Sequence, residues 1–249
     1  MRIRLAVVPA VLLLALAWRV PVATAAAEVH RFNVVLSAVP TQLRAADFNS
    51  LIDNTNRTEL ESRGLAPLDR IKFSWLFDAE LRYFVRQNLA VSAGVGQIRK
   101  STSQEYLPGI RQSITVSAHI TSVPLHAGAA YYLKPYNQGD FQARAYVGGG
   151  FMSVVYNRAS IQADASGVSP DPTFKITGTN DGPGYYGEVG VHLFFASRYS
   201  VLLSGLYRSN QVRNLVNEET GQPFPNPQGQ PLTLDVGGAG FRMAVGIGF

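Results

Sequence analysis

The chain has 249 residues, a formal net charge of +5 and no cysteine. The absence of cysteine excludes a disulfide framework, a thiolate metal site and a lipid anchor on cysteine. Arg2, Arg4 and Arg19 carry three of the positive charges, which leaves +2 for residues 28–249 and does not indicate a nucleic-acid partner.

The N-terminal segment has the layout of a secretory signal peptide. Arg2 and Arg4 precede an apolar run from Leu5 to Ala17, and Ala25 and Ala27 fit the positions that a signal peptidase reads. The alternative is an uncleaved anchor, but the run is shorter than the roughly 20 residues that span a bilayer. We therefore predict a cleaved signal peptide at 1–27 and one domain at 28–249.

The domain reads as β-strands because apolar residues recur at every second position. The clearest segment, from Ile71 to Val85, places apolar residues at odd positions and mostly polar residues at even positions. A strand puts these two sets on opposite faces, whereas a helix would scatter them. Eight such segments are predicted at 29–39, 70–85, 88–100, 113–133, 141–157, 184–196, 200–211 and 235–249.

The connections between these segments alternate in length. Short turns follow Val85 and begin at Lys134 and Ser197, whereas the long connections are 40–69, 101–112, 158–183 and 212–234. This layout predicts an all-β fold, an eight-stranded antiparallel up-and-down transmembrane β-barrel with short periplasmic turns and long extracellular loops.

Two segments are irregular. In the fourth strand the apolar positions change from even to odd, which predicts a β-bulge near Ser122–Pro124. The alternative is that the upper half projects above the bilayer, where the alternation rule relaxes. In the extracellular loop 40–69, near-helical spacing, Thr58 as an N-cap and Gly64 as a stop predict one or two short helices on the rim or over the mouth.

A secreted β-sandwich would show the same alternation. Against it, the polar faces of the fifth and last strands interleave glycines with single long side chains, as a narrow lumen requires. Aromatic residues of the apolar face also fall at two heights. The lower set is Tyr83, Tyr131, Phe141, Phe195 and Phe249, and the upper set is Phe73, Phe151, Tyr185, Tyr207 and Phe241.

On these strands and on the closing "FRMAVGIGF", the chain resembles the small bacterial outer-membrane β-barrel family, such as the OmpA membrane domain, OmpX and OmpW. The resemblance implies a place in the cell outer membrane. It also implies contacts with outer-membrane lipid and lipopolysaccharide, with the barrel-insertion machinery and with periplasmic chaperones, while a partner of the loops stays open. The implied insertion signal is the stripe Phe241, Met243, Val245, Ile247 and Phe249.

Charged side chains are predicted on the inward face of the barrel. They are Lys72, Asp78, Glu80, Arg82, His126, Arg144, Glu188, His192, Arg208 and Arg242. Because unpaired buried charges are costly, we expect acids and bases to pair into a plug. One alternative is a gated, weakly anion-favouring conduit, since bases outnumber acids. Another is passage of small hydrophobic molecules in the OmpW manner, which is excluded if the helices of the first loop seal the mouth.

Catalysis is the most distant alternative. Some small barrels modify lipid A with Ser, His and an acidic partner, and Ser117, His119 and Thr121 alternate on one face of the fourth segment. No acidic partner is evident, and the four histidines are dispersed, so neither an enzyme nor a metal or other cofactor is predicted.

Overall fold

The chain folds into a closed antiparallel barrel. The computed structural model describes residues 30–109, 112–138, 141–167, 174–195 and 198–249, so the predicted signal peptide lies outside the described residues. The strands are β1 (Phe32–Gln42), β2 (Phe73–Arg86), β3 (Leu89–Gly109), β4 (Gln112–Tyr132), β5 (Tyr136–Gln138), β6 (Phe141–Ser166), β7 (Phe174–Thr179), β8 (Gly182–Phe195), β9 (Tyr199–Val212), β10 (Val216–Asn217), β11 (Leu234–Asp235) and β12 (Gly238–Gly248).

Eight of these strands form the barrel wall, in the order β1, β2, β3, β4, β6, β8, β9 and β12. The wall closes because β1 pairs with β2 on one side and with β12 on the other, so that Val34 lies opposite both Leu81 and Ile247. The short strands β5, β7, β10 and β11 extend the wall at its ends. The predicted eight-stranded up-and-down barrel is confirmed.

Alternation along each strand separates an apolar outer face from a buried inner face. On β2, Trp75, Phe77 and Leu81 are exposed, whereas Asp78 and Arg82 are buried. A strand turns successive side chains to opposite faces, so the period of two in the sequence becomes the inside and the outside of the wall. Along β12 and at the residue that follows it, the exposed large apolar residues are Phe241, Met243, Val245, Ile247 and Phe249.

Phe249 is tied into the wall although it is the last residue. Its backbone N–H donates to the carbonyl of Phe32 at 2.8 Å, and its carbonyl accepts from the N–H of Phe32 at 3.4 Å. Its side chain is 62% exposed.

Two strands, β3 and β6, extend well beyond their predicted ends. The segment 101–112 was expected to be a loop, but β3 continues to Gly109 and pairs with β4 there, with Tyr106 opposite Ile114. In the next connection, β6 continues to Ser166 and pairs with β7. Pairing with a neighbour overrides the weak strand propensity of these polar segments.

The irregularity predicted in the fourth strand lies in its partner. Even-numbered residues of β4 stay inward along its length, so the strand itself has no change of phase. The register shifts opposite Val123 and Pro124, where Tyr156 and Val154 are their partners and Val155 is the extra residue of a bulge on β6. The inward apolar residues of upper β4 belong to an apolar core at the loop end of the barrel.

The first long loop is helical, as predicted. Helix α1 (Ala46–Thr55) continues into a π-helical turn (Asn56–Leu60) and a 3-10 turn (Glu61–Arg63). Gly64 ends this stretch with a left-handed φ of 69°, which glycine adopts at no steric cost. Within the described residues, no helix is long and apolar enough to cross a membrane.

The predicted N-cap at Thr58 was wrong. Thr58 lies inside the continuous helical stretch, where its hydroxyl donates to the carbonyl of Asn54 at 2.9 Å. The stretch is instead fixed by two amide side chains. Asn56 Nδ2 donates to the carbonyl of Leu68 at 3.0 Å, and Asn56 Oδ1 accepts from the N–H of Leu68 at 2.8 Å. Asn49 pairs with the backbone of Ile71 in the same way.

Candidate functional site

The inward charges of β2, β8 and β12 meet in the middle of the lumen. Arg82 donates from Nε to Glu80 Oε1 at 2.7 Å, from Nη2 to Glu188 Oε1 at 3.1 Å and from Nη1 to the Tyr132 hydroxyl at 2.6 Å. The Arg82 side chain is 1% exposed, so these protein contacts take the place of the hydrogen bonds that the guanidinium would form with water. Arg82 thereby joins β2 to the opposite side of the barrel.

Arg242 is the second bridge. Its Nη2 donates to Asp78 Oδ2 at 2.8 Å, and its Nη1 donates to Glu80 Oε2 at 3.0 Å and to Glu188 Oε2 at 3.3 Å. Its Nε donates to the Ser37 hydroxyl at 3.2 Å. Arg242 therefore contacts all three carboxylates of the lumen, from β12.

His126 completes the cluster from β4. Its Nε2 lies 2.8 Å from Asp78 Oδ1, and because a carboxylate only accepts, this nitrogen carries the hydrogen. Gly94 makes room for the ring, since a Cβ on that residue would lie 2.6 Å from His126 Nε2.

We call the six ionisable residues joined in this way the lumen cluster: Asp78, Glu80, Arg82, His126, Glu188 and Arg242. In the cluster three carboxylates face two guanidiniums and one imidazole. The excess of bases over acids that suggested an anion-favouring conduit is therefore not found there. Such a buried set is stable only when each charge keeps its partner.

A layer of aromatic rings lies beside the cluster toward the short-turn end. Tyr132 and Tyr146 stack with centroids 5.2 Å apart, and the Arg82 guanidinium lies 5.3 Å from the centre of the Tyr146 ring. His192 joins the layer, with Nδ1 3.1 Å from the Tyr132 hydroxyl and Nε2 2.9 Å from Ser200 Oγ. Neither tyrosine is among the predicted site residues, although their even positions on β4 and β6 place them on the inward face.

Besides His192, three of the predicted lumen residues lie apart from the cluster. Arg144 donates from Nε to Gln142 at 2.6 Å and from Nη1 to the carbonyl of Gln87, near the short turns. Arg208 is buried nearer the loops and donates to Thr41 Oγ1 at 2.7 Å. Lys72 is exposed at the rim, so its predicted place in the lumen was wrong.

Little empty space lies above the cluster. A void of about 30 Å³ is lined by residues that include Asp78, His126, Arg208 and Arg242. That volume holds a water molecule or two. It is far below the roughly 300–1,000 Å³ of pockets that bind organic ligands.

The loop end of the barrel is filled by an apolar core, which we call the loop-side core. The first loop contributes Phe48 and Ile52, which are fully buried. The last loop contributes Leu215, Leu232 and Leu234, and the wall contributes Ile98, Ile120 and Ile161. These side chains lie over the mouth because α1 and the segment before β12 fold inward onto the strand ends.

Asp78, Glu80 and His126 place ligand atoms within 4.8 Å of one another, which is a spacing that a metal ion could use. Each of the two carboxylates also accepts a hydrogen bond from a guanidinium of the lumen cluster. The chemistry of this donor set is accordingly that of an ion-pair network.

Ser117 and His119 are also brought together, on the outer face of β4. Nε2 of His119 lies 3.0 Å from Ser117 Oγ. Burial and the nearby Arg99 lower the pKa of His119, which favours the neutral ring. The residues paired with His119 across the strands are Ser101 and Ser160, not acids, and Ser117 is only 4% exposed.

The sequence of residues 10–237 matches the model of the outer membrane protein beta-barrel domain family. The chain belongs to this family. Membership implies an outer-membrane location and agrees with the closed wall and its apolar outer face.

Two solved structures are similar to the chain at low identity. Ail, the attachment invasion locus protein of Yersinia pestis, crystallised with the heparin analogue sucrose octasulfate, is 9% identical; the match covers 87% of this chain and 96% of that chain with a TM-score of 0.39. The N-terminal β-barrel domain of Pseudomonas aeruginosa OprF is 13% identical, with 87% and 97% covered and a TM-score of 0.35. No curated protein matches the chain significantly.

Proposed function

We propose that this outer-membrane barrel is a non-enzymatic protein with a structural or surface-interaction role, and that charged side chains plug its lumen. The observation that carries the proposal is the pair of buried arginines, Arg82 and Arg242, which joins three carboxylates across the lumen. A solute that passed would have to separate these pairs, and breaking a buried pair costs about 3–5 kcal/mol. The tall hairpins and long loops are then the surface available to partners.

The loop-side core supports the same proposal from the other end of the lumen. A route for small hydrophobic molecules needs a mouth open from above, but Phe48 and Ile52 of the first loop pack there without exposure. The void beneath them, about 30 Å³, is too small for such a molecule. The OmpW-like alternative is therefore the weaker one.

Conductance in planar lipid bilayers tests the plug. The refolded protein should add no stable current steps, and neither should Arg144→Gln or Arg242→Gln. Anion-selective steps in the unmodified protein that grow in either variant would overturn the proposal in favour of a conduit. Refolding of each variant is checked by heat modifiability, the change in gel migration between the unboiled and the boiled protein.

We also propose export by the signal peptide at 1–27 and insertion that depends on the closing stripe from Phe241 to Phe249. A heat-modifiability gel on outer-membrane fractions tests the location. The unboiled protein should migrate differently from the boiled protein and should fractionate with the outer membrane. A band in the soluble fraction that does not shift on boiling would contradict the proposal.

A further inference from the structure

A polar groove interrupts the outer face of the barrel where β3, β4, β6 and β7 rise above the apolar band. We call it the basic groove, and it encloses about 200 Å³. It is lined by Arg99, Lys100, His119, Thr121, Arg158, Ser160, Gln162 and Lys175. Four of these eight side chains are arginines or lysines, and none is acidic.

The register of the strands sets the cations side by side. Arg99, Thr121 and Arg158 are direct partners across β3, β4 and β6, and Gln162 is paired with Lys175 of β7. Two guanidiniums thus flank a hydroxyl on one row of the sheet. Arginine side chains in such an arrangement match the oxygens of a phosphate by paired, charge-assisted hydrogen bonds.

One guanidinium is left incompletely partnered. Arg158 donates from Nη2 to Glu218 at 2.8 Å, but its buried Nε has no hydrogen-bond partner among the described residues. Glu218 forms an ion pair with Arg158, and Asp164 accepts from Gln162 at 3.2 Å. The lining residues themselves, as the structure describes them, carry an excess of positive charge and an unused donor, both of which favour an anion.

The height of the groove identifies the kind of anion. Thr121 is ten residues from Tyr131 of the lower aromatic set on β4, which is roughly 33 Å along the strand and about 25 Å vertically at a 40° tilt. Trp75, an exposed outward residue, is the direct partner of Arg99. Tryptophan is typical of the membrane–water interface. The groove thus lies at the headgroup level of the outer leaflet.

We propose that the basic groove binds a phosphate group of an outer-leaflet glycolipid headgroup. This site is separate from the lumen and does not depend on whether the lumen conducts. The bound headgroup would offset the repulsion between Arg99, Arg158 and Lys175 and would hold the tall hairpins upright against the membrane surface.

The test measures lipid retention by native mass spectrometry. The protein is reconstituted in phosphatidylcholine vesicles with diphosphoryl lipid A, with dephosphorylated lipid A or with neither, and is then extracted into detergent. The unmodified protein should retain diphosphoryl lipid A and release the dephosphorylated form. The triple variant Arg99→Gln, Arg158→Gln and Lys175→Gln should retain about tenfold less, the scale of one lost charge-assisted contact.

The matched control removes three exposed cations at the opposite, short-turn end: Arg86→Gln, Lys134→Gln and Arg198→Gln. It should retain lipid A normally. Equal losses in both triple variants, or equal retention of the two lipid A forms, would overturn the proposal. The three single groove variants are measured alongside, so that the result does not rest on folding of the triple variant.

Inorganic phosphate distinguishes the two possible sources of the anion. Excess inorganic phosphate added during extraction should leave most of the lipid A bound. If it instead displaces lipid A fully and itself remains on the protein, the groove is a site for soluble phosphate and the lipid assignment is wrong.

Discussion

Replacing Arg242 by methionine is the sharpest test of the lumen cluster. Methionine keeps much of the side-chain volume and removes the charge. The substitution deletes the contacts to Asp78 at 2.8 Å, Glu80 at 3.0 Å and Glu188 at 3.3 Å. It leaves three buried carboxylates with one guanidinium, on Arg82, and the imidazole of His126.

The expected loss follows from the burial of the carboxylates. The side chains of Glu80 and Glu188 are 0% and 3% exposed, so water does not replace the missing guanidinium. Breaking a buried pair by removing one partner costs about 3–5 kcal/mol, because the other charge stays buried. We expect Arg242→Met to lower the free energy of unfolding by that amount.

The measurement is urea unfolding in detergent micelles, followed by tryptophan fluorescence. Trp18 lies in the predicted signal peptide, so Trp75 on the outer face of β2 is the single reporter in the mature chain. The control Arg198→Met changes an exposed arginine and should shift stability by no more than about 0.5 kcal/mol. The double variant Arg242→Met, Glu80→Gln should regain part of the loss, because one buried charge fewer is left unpaired.

A loss below about 1 kcal/mol in Arg242→Met, or a double variant less stable than the sum of its two single variants, would refute the reasoning. Either result would mean that the carboxylates do not depend on this guanidinium for their stability inside the barrel.

Three further changes have defined outcomes. Deleting Phe249 should reduce the heat-modifiable fraction in outer membranes well beyond the effect of losing one exposed ring, and normal levels would count against the insertion signal. Gly94→Ala should cost about 1–3 kcal/mol in the same unfolding assay because its Cβ would collide with His126, whereas Gly187→Ala, whose nearest atom would lie 3.9 Å away, should be neutral. Asn56→Ala should cost about 1–3 kcal/mol and speed proteolysis of the first loop, since both its amide hydrogen bonds are buried; unchanged cleavage would contradict this.

The strands of the barrel wall were predictable because the alternation of apolar and polar residues within each segment identifies it as a strand. On β2 and β12 the alternation alone separates the outer apolar stripe from the inner residues, and both were predicted correctly. The tall hairpin of β3 and β4 was not predicted, because its residues near 101–112 have loop-like composition. Their strand conformation depends on pairing with a partner strand, and the sequence of one segment alone does not show that pairing.

The bulge illustrates the same limit more closely. The apolar residues of β4 change from even to odd positions, yet the even-numbered side chains point inward along the whole strand. The even positions of upper β4 are apolar because Ile114, Val116 and Ile120 pack in the loop-side core. The extra residue, Val155, lies on β6, where it reverses the phase of the partner strand. When apolar residues move from even to odd positions in a sequence, the cause is therefore either a bulge or a change of environment along the strand. Here the change of environment lies on β4 and the bulge lies on its neighbour β6.

The charged residues were predicted to face inward, but their pairing was not predictable. Asp78, Glu80 and Arg82 share a face of β2 by alternation, whereas their contacts with Glu188 and Arg242 depend on how the wall closes. Lys72 has the same parity as Asp78 but lies beyond the start of β2, where the rim is open to water. Depth along the strand, and not parity alone, decides which inward charges are buried.

The two charged regions differ in balance, and this difference assigns them different roles. In the lumen cluster, two guanidiniums and an imidazole face three carboxylates at hydrogen-bond distance, so the charges are used within the protein. The lining of the basic groove holds four cations and no acid, and Glu218 pairs with Arg158 alone among them in the contacts described. A balanced buried set stabilises the wall, whereas an unbalanced exposed set attracts a counterion from its surroundings. Recognition by this protein should therefore occur on the outside of the strands, at the membrane surface, and the inside should serve to hold them in place.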